Sequence, residues 1–167
     1  MVDRKKVINS KNARLLDSDK LKMNAHLRAK LYRLIREFFS SRSFLEVDTP
    51  LMDHCPSMEP NISSFQTSLF DGTTERTMYL QSSPEYNMKK LLVSGYDKIY
   101  QMTKSFRNGE LTRQHNPEFT ILEWYRAGCD YNKIMSDVEE LVAYIFDVEK
   151  CVYEIDYLNK KVDLSPP

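Results

Sequence analysis

The chain has 167 residues, with 24 basic side chains balanced by 24 acidic ones, 41% hydrophobic positions and 11% aromatic ones. These figures suit one ordinary folded domain; the aromatic residues argue against a disordered chain, and 29% charged residues with a mean hydropathy of −0.54 leave no run of about 18 apolar residues to span a bilayer. Zero net charge removes the positive field of a dedicated nucleic-acid binder and leaves only local basic patches open.

Cys55, Cys129 and Cys151 form no C-x-x-C pair, and the N-terminus has no apolar signal core. A reduced, cytoplasmic protein that does not enter a membrane is therefore expected. His26, His54 and His115 are far apart and lack the spacing of a zinc site, so no resident metal is expected.

Residues 1 to about 20 are polar and read as a flexible lead-in, with 21–167 as the folded core. From Met23, the set Leu27, Leu31, Leu34, Ile35, Phe38 and Phe39 follows the three-four spacing of an amphipathic helix ending near Ser40 to Ser43. Phe44 to Val47 reads as a short strand closed by Pro50, and Asp53 to Ser64 as a loop. Phe65 to Phe70 and Met78 to Gln81 form strands about a turn at Asp71-Gly72. Ser83-Pro84-Glu85 starts a helix with a capping serine, a proline at the first helical position and an acid in the first turn. Met88, Leu91 and Leu92 are its buried side and Gly95 its stop. Ile99 to Phe106 and Glu118 to Arg126 are the strongest strands, an antiparallel pair with a long polar loop between them. Asn132 to Glu149 returns to helix, and Val152 to Leu164 closes as a hairpin. The fold class expected is α+β, built on an antiparallel sheet flanked by helices.

Chemistry concentrates between Phe106 and Arg126. Alternation along a strand sets Phe119, Ile121, Glu123 and Tyr125 on one face. Phe119 and Tyr125 are then roughly 20 Å apart, the reach of an extended two-part ligand. A flat ring at one end can stack a base, and an acid beside a phenol at the other can hold a cation.

Phe106-Arg107-Asn108, then His115-Asn116-Pro117-Glu118-Phe119-Thr120 and Glu123-Trp124-Tyr125, resemble motif 2 of the class II aminoacyl-tRNA synthetases in its lysine-specific branch. Phe44 to Met52 resembles motif 1, whose proline, here Pro50, lies at the dimer interface in that family. The resemblance runs from about Met23 to the C-terminus. Ser82 to Leu92 and Leu122 to Arg126 look more like the branch that attaches lysine or β-lysine to elongation factor P than like lysyl-tRNA synthetase. Residues 1–20 are also too few for the synthetase's anticodon-binding barrel. No counterpart of motif 3 precedes Pro167, so the catalytic domain is expected to be incomplete at its C-terminus.

The resemblance implies activation of lysine or β-lysine by ATP to an aminoacyl-adenylate, with Mg2+ on the phosphates, then transfer to a lysine of elongation factor P. tRNA is the disfavoured acceptor, and the protein is expected to be a homodimer. Arg107 would be the catalytic residue, bridging substrate carboxylate and α-phosphate. Asn108, Gly109, Glu110, His115, Asn116 and Phe119 would join it at the ATP site, with Phe119 stacking on adenine. Ser83, Pro84, Glu85, Glu123 and Tyr125 would line the amino-acid pocket. One departure is that the acid expected two residues after Arg107 is replaced by Gly109, with Glu110 next.

Other readings of the same residues stay open. Glu123 can be a structural acid paired with Arg126, Glu85 can serve only the helix dipole, Phe119 can be a core aromatic, and His115 can orient its loop. At the level of the chain the alternatives are a lysyl-tRNA synthetase fragment and a non-catalytic binding or dimerisation module.

Overall fold

The protein is described by a computed structural model over residues 19–149 and 153–165. Among the described residues three helices and eight strands follow in the order α1 (Asp19–Ser41), β1 (Leu45–Glu46), β2 (Met52–Asp53), β3 (Gln66–Phe70), β4 (Glu75–Leu80), α2 (Glu85–Val93), β5 (Lys98–Phe106), β6 (Glu118–Arg126), α3 (Tyr131–Glu149), β7 (Glu154–Tyr157) and β8 (Lys160–Asp163). The α+β class is as the sequence predicts. The lead-in expected over residues 1 to about 20 falls, as far as residue 18, outside the described residues.

The chain divides into two compact units, one of Phe39–Ile134 and one joining the chain before Phe39 to that after Ile134. In the first, β5 and β6 pair antiparallel over nine residues, with Tyr100 opposite Trp124 and Gln101 opposite Glu123. Strand alternation gives this ribbon two unlike faces. One carries Tyr100 and Trp124 against Phe39, whose ring stacks on Tyr100 at 4.6 Å and tilts against Trp124 at 5.5 Å. Phe44 meets Phe39 edge-on at 5.1 Å. The other face carries Gln101, Thr103 and Ser105 opposite Glu123, Ile121 and Phe119.

One pairing is a correction to the sequence reading: β1 runs parallel to β5, with Leu45 opposite Ile99. The start of β1 is set by the end of α1. Ser43 takes a left-handed conformation (φ 62°), so the Phe44 N–H turns back to the Phe39 carbonyl at 3.0 Å. A second correction concerns β2, which lies where a loop is expected to begin. It pairs with β4, and β4 with β3, in a three-stranded antiparallel sheet. The β3–β4 turn is held by Asp71, whose carboxylate accepts from the backbone and hydroxyls of Thr73 and Thr74 and from Arg76. The bonds from Thr74 and Thr73 hold the Asp71 carboxyl well below the usual range.

Helix α2 ends as its sequence predicts and begins one residue later than expected. The Ser83 Oγ accepts the Glu85 N–H at 3.1 Å, although Pro84 stands at the cap position and the first helical residue is Glu85. At its far end Gly95 (φ 96°) lets the Tyr96 N–H reach the Leu91 carbonyl and its own N–H that of Leu92, the double closure that favours glycine.

In the second unit, Leu34 and Phe38 of α1 and Leu141 and Ala143 of α3 are buried. Phe38 contacts Tyr144 at 5.8 Å, and Lys30 pairs with Glu149 at 2.5 Å. The hairpin expected after Val152 is present as β7 and β8; Val152 itself lies outside the described residues.

Candidate active site

The polar face of the β5–β6 ribbon carries the residues singled out in the sequence. At one end stands Glu123, half-buried. The Ser83 hydroxyl donates to its Oε1, and the Tyr125 hydroxyl donates to its Oε2 at 3.3 Å. Strand alternation puts Tyr125 beside Glu123, and the cap of α2 brings Ser83 to it from 40 residues away. Burial pushes the Glu123 carboxyl above its ordinary range. The Ser83 and Tyr125 hydrogen bonds oppose that, the Glu85 charge reinforces it and Arg107 opposes it. The Tyr125 phenol is driven upward by burial and by the negative charges of Glu123 and Glu85, so it stays a donor. The Arg126 alternative for Glu123 is not what forms: the Arg126 guanidinium lies over the Phe44 ring at 5.0 Å.

Glu85, in the first turn of α2, pairs with Lys89 one turn on at 2.5 Å. That contact raises the Lys89 ammonium. Pro84 is buried and fixes the backbone between Ser83 and Glu85.

At the other end, four residues and roughly 13 Å along β6, the Arg107 guanidinium lies over the Phe119 ring, 5.2 Å from its centroid. Its Nη1 is 3.8 Å from Glu110 Oε1, and its Nε is buried without a hydrogen-bond partner. The loop from Arg107 to Pro117 is anchored at both ends: the Arg107 N–H donates to the Pro117 carbonyl at 2.9 Å and the Asn108 N–H to the Ser63 carbonyl at 2.8 Å. Gly109 turns the chain with φ 82°, a conformation costly for other residues. It thereby leaves Glu110, and not position 109, as the acid beside Arg107. His115 orients the loop tip, with Nδ1 at 2.9 Å from the Thr112 hydroxyl and its N–H on the same oxygen at 3.1 Å. Asn116 is exposed beside it, and Pro50 is exposed between β1 and β2.

A cavity of about 300 Å³ opens beside Ser83 and Glu85, walled also by Asp53, Met58, Leu80 and Tyr86. Lys89 lines it too. Lys89 is not among the residues expected at the site from sequence; its i, i+4 spacing from Glu85 is the signal that would have found it. Among the described residues no group of three or more His, Cys, Asp or Glu could hold a metal ion, and no helix is long and apolar enough to cross a membrane.

The arrangement can take an extended ligand with a cationic group at one end and an anionic or aromatic group at the other. Residues 5–164 match the family model of tRNA synthetases class II (D, K and N). The elongation factor P–(R)-β-lysine ligase of Vibrio vulnificus (strain YJ016) is 43% identical over 137 residues, 79% of this chain and 42% of that protein. The protein of the same name from Avibacterium paragallinarum is 44% identical over 124 residues, 73% of this chain and 38% of the relative. The chain thus spans about two-fifths of the length of these relatives. On a family match that covers nearly every residue, the chain belongs to the class II tRNA synthetases of the Asp, Lys and Asn group.

Proposed function

We propose that this chain is the motif 1 and motif 2 part of a cytoplasmic enzyme that activates lysine or β-lysine with ATP and transfers it to a lysine side chain of elongation factor P. The observation that carries this reading is the opposition, on one sheet face, of the Glu123–Ser83–Tyr125 cluster to the Arg107–Phe119 pair. The names of the relatives, elongation factor P–(R)-β-lysine ligase, support the choice of amino acid and acceptor.

A lysine-like substrate carries two ammonium groups and one carboxylate. Glu123 and Glu85 supply the acids and Arg107 the cation. Burial makes an unpaired Glu123 charge costly, so an ammonium that pairs with it recovers more than it would at an open surface. At the other end, the substrate carboxylate oxygen attacks the α-phosphorus of ATP and pyrophosphate leaves. The planar guanidinium of Arg107 can hold the carboxylate and the α-phosphate together and stabilise charge growing at phosphorus. Phe119 offers its ring to adenine, with Asn108, Gly109, Glu110, His115 and Asn116 around the nucleotide. In the second step an unprotonated acceptor amine attacks the carbonyl carbon, and AMP leaves. Mg2+ would accompany ATP and neutralise its phosphates. Pro50, exposed after motif 1, belongs to the homodimer interface in this reading.

The test is acceptor competition. Labelled lysine or β-lysine is supplied with ATP, elongation factor P and tRNA to the chain and to any longer form containing it. Label in elongation factor P is expected; label entering tRNA alone overturns the choice of acceptor.

A further inference from the structure

Gln101 of β5 is 1% exposed, yet only half of its amide is satisfied. Its Oε1 accepts from the buried Thr49 hydroxyl at 3.0 Å, while its Nε2 is buried without a hydrogen-bond partner. It stands in register opposite Glu123, on the same face of the ribbon, where directly paired side chains have Cβ atoms roughly 5 Å apart.

A buried amide that leaves two donor hydrogens idle is a poor packing choice, since a methionine or leucine would fill the same space without stranding them. The orientation of the amide also has a physical reason. Thr49 can donate or accept, so it does not by itself decide which end of the amide faces it. Glu123, opposite in register, gives a reason for the observed choice: an amide oxygen on its side would repel a half-buried anion. Glu123 can use the donor, because Ser83 and Tyr125 occupy one site on each carboxylate oxygen and each oxygen has a second lone pair.

We propose that Gln101, clamped by Thr49, is a positioning residue for Glu123: it offers its amide N–H from beneath and holds the carboxylate in the orientation that receives a cation from the open side. The proposal rests on the reading of Glu123 as the cation-holding acid. A small turn of the Glu123 side chain brings an inner lone pair to Gln101 and leaves an outer one for an ammonium. The other charged and titratable groups bearing on Glu123 are Glu85 and Lys89 from α2, Arg107 just after β5 and Tyr125 on its own strand. None of them reaches the carboxylate from the β5 side as a neutral, buried donor.

The test is a carbon-13 NMR titration of the Glu123 carboxyl, with the Gln101 side-chain amide followed in the same samples. It needs no ligand. A donor to the charged form lowers a carboxyl pKa, so Gln101→Met is expected to raise the Glu123 midpoint by about 0.5–1 pH unit. In the unmodified chain the Gln101 amide resonances should move with the Glu123 titration. That second measurement decides the matter even if Gln101→Met does not fold. A merely structural glutamine would lower thermal stability when replaced and leave the midpoint where it was. An unchanged midpoint, or amide resonances indifferent to Glu123, overturns the proposal. Lysine titration of the same samples separates the two readings. Lysine binding without Gln101–Glu123 coupling removes this proposal alone; coupling without binding of lysine or β-lysine removes the functional reading alone.

Discussion

The Ser83 hydroxyl donates to Glu123 Oε1 while its oxygen accepts the Glu85 N–H at 3.1 Å. One side chain therefore starts α2 and fixes the acid on β6, so the geometry around Glu123 depends on a helix cap. Replacing Ser83 by alanine removes both bonds. A lost cap costs about 1 kcal/mol, and the loss should appear as a lower melting temperature with faster hydrogen exchange at the Glu85 amide. Ser83→Thr, which keeps the hydroxyl, should restore both.

Glu123→Gln separates charge from shape. Its carboxyl is raised by burial, so the folded state favours the protonated form. That contribution to stability is fully present below the unfolded-state pKa and is lost as pH rises through the raised, folded-state value. Glutamine keeps it at every pH, and the variant should melt no lower than the parent at pH 7. Lysine binding should run the other way, falling by roughly 10- to 100-fold with the loss of a charge-assisted bond. In the parent it should weaken as pH drops through the Glu123 midpoint. Calorimetric titration against pH checks both; unchanged lysine affinity in Glu123→Gln would remove this acid from the site.

Phe39 anchors the opposite face of the ribbon, fully buried among Phe44, Tyr100 and Trp124. Phe39→Ala should cost about 3–5 kcal/mol, measured by urea denaturation. Phe39→Leu should recover much of it, because the loss is one of packed volume.

Asp71 governs the β3–β4 turn through bonds to Thr73 and Thr74. Its carboxyl is held low, so the turn's contribution is present above the ordinary aspartate pKa and is lost as pH falls through the lowered value. Asp71→Ala should speed hydrogen exchange at the Thr73 and Thr74 amides at neutral pH, and Asp71→Asn should do so less.

Much of this was legible in the sequence because it is periodic or local. The three-four spacing from Leu27 to Phe39 lies within α1, and the Ser83 to Gly95 signals bracket α2 because caps are short-range chemistry. The face shared by Phe119, Glu123 and Tyr125 follows from period two alone. What the sequence hides is set by partners far along the chain. β2 is two residues beside Pro50 and exists only because β4 pairs with it. β1 runs parallel because β5 receives it that way. The division into two units falls inside α1 and α3, where no glycine or proline marks it. Within the site, the alternation that places Glu123 also places Gln101 opposite it, but neither the Ser83–Glu123 bond nor the stack of Arg107 on Phe119 can be read from spacing.

Arg107 carries the proposed activation step. Its guanidinium lies on the ring assigned to adenine, and its planar fork is needed to hold two oxyanions at once. The direct measurement is pyrophosphate exchange into ATP dependent on lysine or β-lysine, run on the chain and on any longer form containing it, with Arg107→Ala and Arg107→Lys alongside. Exchange with at least one of the two amino acids is expected, falling by roughly 100-fold or more in Arg107→Ala and little restored by lysine. An active longer form that exchanges equally well without the Arg107 guanidinium, or one that exchanges with neither amino acid, would contradict it.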